Sequence, residues 1–89
     1  MGNIYVTIKL MPESLKIILE SIKIKSEEII LRYQGRVIDS KEEPVAFGLN
    51  ALIIKFSINE SQELEPLEEA LQKQEGVNSV SILEMNRAL

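Results

Sequence analysis

Four apolar side chains at strict two-residue spacing, Leu52, Ile54, Phe56 and Ile58, constrain this chain more than any other feature. They alternate with Ile53, Lys55 and Ser57, so residues 49–59 form a strand with one fully apolar face, expected at the centre of a sheet. The same period of two runs through residues 3–11, where Ile4, Val6, Ile8 and Leu10 alternate with Tyr5, Thr7 and Lys9 until Pro12 ends the run. A polar stretch at residues 36–42 reads as an edge strand running out at Glu43-Pro44, and residues 77–85 make a fourth strand. Between the strands the spacing changes. Leu19, Ile22, Ile29, Ile30 and Tyr33 recur at helical intervals within residues 14–34, with Ser14 as a candidate cap, Leu15–Ile18 readable as helix or connection, and Gly35 as the stop. Pro66, Leu67, Ala70 and Leu71 start a second helix closed by Gly76.

The order is therefore β-α-β-β-α-β. It fits an α+β, ferredoxin-like sandwich: a four-stranded antiparallel sheet of order 4-1-3-2 with two helices on one face. The 89 residues suffice for a single domain, taken as 1–89.

Composition removes whole classes of chemistry. There is no cysteine and no histidine, so disulfides, thiolate catalysis and imidazole bases or ligands are absent, and a metal would need oxygen donors alone. A net charge of −4 and 4% aromatic residues argue against direct nucleic-acid binding. No apolar run reaches the ~18 residues a membrane span needs. The opening Met1-Gly2-Asn3-Ile4 enters strand alternation at once, and the expectation is a cytoplasmic protein.

Fold alone does not give function. Three segments carry a resemblance that does. Residues 44–52, Pro-Val-Ala-Phe-Gly-Leu-Asn-Ala-Leu, are similar to the signature of the elongation factor 1-beta exchange domain. Residues 6–14, Val-Thr-Ile-Lys-Leu-Met-Pro-Glu-Ser, resemble the first strand and turn of its archaeal members, and residues 67–89 their second helix, glycine turn and last strand. The resemblance implies a guanine-nucleotide exchange factor that binds the GTPase elongation factor 1-alpha and speeds GDP release so that GTP enters. It implies no cofactor and no covalent step.

The site residues follow from that resemblance. Phe47, in a Pro/Gly-bounded loop with Ala46, reads as an anchor on the GTPase or as an aromatic folded back over its own core. Pro44 and Gly48 shape the loop in either case. Near the end, eukaryotic relatives place a lysine next to the last residue, reaching toward magnesium and phosphate. Matching Met85 puts Arg87 at that position beside Asn86; matching the very end puts Ala88 there. A cation so placed competes with Mg²⁺ for the same negative field, whereas a solvated terminal charge is the plain alternative. Glu63, Glu65, Glu68 and Glu69 read as a solvated acidic face that complements a helix N-terminus, and Glu42 and Glu43 as solvated charges beside the loop.

Taking strands 1 and 3 as parallel, with 2 and 4 against them, the Pro44–Leu49 loop and the C-terminal tail are expected at one end of the sheet. The competing reading is a small regulatory domain of this fold that binds a metabolite as a homodimer. Its ligand loop usually carries glycine, and here Met11-Pro12-Glu13-Ser14 has none.

Overall fold

The computed structural model describes residues 2–87. The elements are β1 (Asn3–Pro12), α1 (Leu19–Arg32), β2 (Arg36–Pro44), β3 (Asn50–Asn59), α2 (Leu64–Gln72) and β4 (Val77–Arg87). The sheet order is β2-β3-β1-β4, and every neighbouring pair is antiparallel. The apolar face of β3 is central as its alternation requires, and the polar β2 lies at an edge.

Both helices cover the face that carries the alternating apolar residues. Val6, Ile8 and Leu10 of β1 lie opposite Phe56, Ile54 and Leu52 of β3. These pack with Ile22 and Ile30 of α1, Leu67 and Leu71 of α2, and Val77 into one buried cluster. Burying side chains of this size stabilises by roughly 1.5–3 kcal/mol each, which is what holds the short helices to the sheet. Polar groups also enter the interior: Ser26 is fully buried, and its Oγ accepts a hydrogen bond of 2.9 Å from Gln74 Nε2.

The other face of the sheet is open. Ile53 lies there between Lys9 and Lys41, yet it is buried. Long lysine stems can cover an aliphatic neighbour while the ammonium groups stay in water. Lys55 Nζ sits 5.2 Å from the centre of the Tyr5 ring on the same face.

Among the boundaries that differ from the sequence reading, two have a clear local cause. Helix α1 begins at Leu19, not at Ser14, because Ser14 instead closes a turn: its carbonyl accepts from Ile17 N–H and its Oγ from Lys16 N–H. Strand β2 runs on through Pro44, which an edge strand allows because the missing N–H would face solvent.

The expected strand directions require correction. β1 and β3 are antiparallel, not parallel. Each β-α-β unit returns parallel to its start across one intervening strand, so β1 runs with β2 and β3 with β4. The start of β3 therefore lies at the end of the sheet where β4 begins, and β4 finishes at the opposite end, where Arg87 faces Ile4. The Pro44–Leu49 loop and the C-terminal residues do not converge. Six residue steps along β3 separate Leu52, level with Leu10, from Ile58, level with Ile4, which is roughly 20 Å of strand. The molecule measures 42 × 21 × 17 Å, and the long axis accommodates that separation.

Candidate functional site

The sequence-expected residues fall into two groups at opposite ends. Pro44, Ala46, Phe47 and Gly48 make the first. Strand pairing ends at Pro44–Asn50, after which Val45 N–H donates to the Leu49 carbonyl at 2.8 Å and Leu49 N–H to the Ala46 carbonyl at 3.1 Å. Phe47 and Gly48 occupy the two corners with φ of 57° and 76°. Positive φ at both corners is the type I′ arrangement, whose twist matches a hairpin and whose chemistry favours Asn, Asp or Gly. Gly48 satisfies that demand. Phe47 does not: a bulky side chain in the left-handed region costs about 1–2 kcal/mol.

The strain gains no burial. Phe47 is 94% exposed, so the alternative in which the ring folds back over its own core is excluded by its position. An aromatic held out in a backbone conformation it does not favour is an arrangement found where a partner supplies the missing contacts. Pro44 and Ala46 flank it, both exposed.

Sequence reasoning does not single out Leu15, which lies against this turn. A methyl carbon added to Gly48 would stand 3.7 Å from Leu15 Cδ2, and Leu15 is 70% exposed. Leucine just ahead of a helix is equally at home on the helix face or in a connection, so only the fold reveals it.

Asn86 and Arg87 make the second group. Asn86 lies opposite Tyr5 and Arg87 opposite Ile4, so the two side chains leave opposite faces of the sheet. Asn86 Nδ2 donates to Glu84 Oε1, which turns it back along its own strand. Arg87 Nη2 lies 3.7 Å from Glu60 Oε2, with 80% of the arginine side chain exposed. Glu60 also accepts from the Gly2 backbone N–H at 3.3 Å. That amide first, and the Arg87 charge second, hold the Glu60 carboxyl below the ordinary glutamate range. An ion pair this exposed is weak, and the guanidinium is available to another anion. Ala88, the other candidate for the terminal cation position, lies outside the described residues.

Among the described residues, no group of three or more carboxylates stands together as a metal site. Glu63, Glu65, Glu68 and Glu69 are spread over the cap and first turns of α2, half-buried at most. No helix among the described residues is long and apolar enough to cross a membrane.

This architecture has solved counterparts. The ACT domain from a GTP pyrophosphokinase of Chlorobium tepidum superposes with a TM-score of 0.64 over 91% of this chain and 99% of that one, at 15% identity. That likeness concerns the fold alone. The family evidence is in the sequence. The model of the EF-1 guanine nucleotide exchange domain matches residues 5–88. The elongation factor 1-beta of Methanosarcina acetivorans is 41% identical over 88 residues, covering 98% of this chain and 99% of its own. That of Methanothermobacter thermautotrophicus is 35% identical with both chains covered completely. A βαββαβ sheet with a hairpin aromatic turned into solvent thus has the sequence of a translation-factor exchange domain. The chain belongs to the EF-1 guanine nucleotide exchange domain family.

Proposed function

We propose that residues 1–89 act as one exchange domain that promotes GDP release from, and GTP loading of, elongation factor 1-alpha during translation elongation in the cytoplasm. The observation that carries this reading to a site is Phe47, exposed to 94% in left-handed backbone within a chain that matches the exchange-domain family almost end to end.

The mechanism needs no covalent chemistry and no resident cofactor. An exchange factor binds the nucleotide-free GTPase more tightly than the GDP-bound form, and linkage then requires that it weaken GDP binding by the same factor. The residues of this chain supply binding energy to that coupling. Phe47 enters an apolar recess on the GTPase, with Pro44, Ala46 and Gly48 holding the turn at the correct angle. Arg87, released from Glu60, brings a cation toward the acidic surroundings of magnesium and phosphate, and Asn86 supplies hydrogen bonding from the opposite face of the sheet. The two groups stand roughly 20 Å or more apart, so the GTPase is engaged along the length of the sheet and not at one tip.

Affinity measurements test the coupling. Titration of elongation factor 1-alpha from the same organism, stripped of nucleotide and then loaded with GDP and Mg²⁺, is expected to show at least ~10-fold tighter binding to the stripped form. Equal affinity for both forms rules out exchange activity, however tight the complex.

A further inference from the structure

A second apolar side chain is held out at the Phe47 end. Residues Ser14–Ile17 form a hydrogen-bonded turn, with Ile17 N–H reaching the Ser14 carbonyl at 3.3 Å and Lys16 N–H reaching Ser14 Oγ at 3.2 Å. Leu15 takes the first corner. Two residues on, Ile17 turns inward, where it packs against the core and would stand 3.2 Å from a Cβ on Gly76. Glu13 N–H donates to the Gly76 carbonyl at 2.9 Å and ties the connection to the start of β4. The same short segment therefore packs half-buried Ile17 against the core and presents Leu15 to solvent.

The β2–β3 turn repeats this device, with Phe47 at its first corner. The two turns adjoin, because Leu15 Cδ2 lies beside Gly48, the residue after Phe47. A leucine whose task was to prop that turn would bury most of its side chain against it. Leu15 stays 70% exposed. Its nearest charged neighbours in sequence, Glu13 and Lys16, are of opposite sign, while Glu42 and Glu43 stand beside the Phe47 turn.

We infer that Leu15 contacts the GTPase beside Phe47, so that the corners of two turns form one apolar patch entering a single hydrophobic recess of the partner. The inference rests on the exchange-factor reading and extends it to a residue of the β1–α1 connection. Binding energy through this patch comes from apolar area.

Steady-state GDP release from elongation factor 1-alpha, measured with Leu15→Ala, Leu15→Asp, Leu15→Met, Phe47→Ala and the Leu15→Ala/Phe47→Ala pair, tests it. Leu15→Ala is expected to lower kcat/KM about threefold to tenfold, Leu15→Asp to lower it further, and Leu15→Met to keep most of it. The double variant is expected to lose less than the product of the single losses, since both residues fill one recess. Melting temperatures are expected to stay with the unsubstituted protein. If Leu15→Ala and Leu15→Asp exchange normally while Phe47→Ala is impaired, the inference is wrong and the exchange reading stands. A loss matched by a fall in melting temperature equally overturns it, since that is a structural effect. If the unsubstituted protein does not accelerate release, both readings fall together.

Discussion

In the proposed reading, Phe47 gives up folding stability for a docking role. Its turn asks for a residue tolerant of positive φ, and its exposure forfeits the burial an aromatic ordinarily gains. Phe47→Asn is therefore expected to stabilise the fold by about 0.5–1 kcal/mol, or roughly 2–8 °C in melting temperature, while reducing nucleotide exchange. Thermal denaturation beside an activity assay checks both halves. Glu60 makes a prediction of a different kind. Its folded-state pKa is depressed, first by the Gly2 amide and then by Arg87. Such a group contributes stability above its unfolded value of ~4.3, and that contribution is lost as pH falls through the lower folded value. Arg87→Ala raises the folded value toward the ordinary one. The expected result is a small loss of stability near neutrality that shrinks as pH falls through the folded value of Glu60, so that the variant and the unsubstituted protein converge in acid, read from melting temperatures between neutral pH and about pH 2. The sequence shows the candidate residues at this scale but not their partners: nothing in the spacing of Glu60 and Arg87 announces that β3 and β4 finish side by side across β1.

At the scale of elements, the end of α1 shows why boundaries are harder to read than elements. Gly35 reads as the stop, but it is Gln34 that adopts the left-handed conformation, with φ of 69°. Gln34 N–H donates to the Leu31 carbonyl at 2.9 Å and Gly35 N–H to the Ile30 carbonyl at 2.8 Å, the paired bonds of a Schellman motif. Gly35 is needed one position later for a different reason. A Cβ there would stand 2.7 Å from Ile30 Cγ2. The two positions should respond in opposite directions. Gln34→Gly is expected to raise stability by about 0.5–1 kcal/mol, and Gly35→Ala to lower it by about 1–3 kcal/mol, both from chemical denaturation. The start of α1 has a similar lesson. Ser14 is a good cap by type, yet here its hydroxyl and carbonyl serve a four-residue turn ahead of the helix, because Ile17 must reach the core before Leu19 can begin it.

At the scale of the molecule, strand alternation and helical periodicity made the βαββαβ order and the sheet order legible. Leu52, Ile54, Phe56 and Ile58 mark the central strand because one side chain in two must face the helices. Relative strand direction was not legible from periodicity, which is the same read forward or backward. It follows from connectivity: each helix crossover returns its strand parallel to the one before, across a single intervening strand. The reversed expectation for β1 and β3 put the Phe47 turn and Arg87 at one end, and the pairing of Ile4 with both Ile58 and Arg87 puts them at opposite ends. The exchange reading consequently changes from docking at one tip to engagement along the sheet. The direct measurement is release of a fluorescent GDP analogue from elongation factor 1-alpha against excess unlabelled nucleotide, with Mg²⁺ present and this protein added in catalytic amounts. Acceleration of about tenfold or more, lowered by Phe47→Ala and separately by Arg87→Ala, is the result the structure predicts. An unchanged release rate at saturating concentrations of the unsubstituted protein contradicts it.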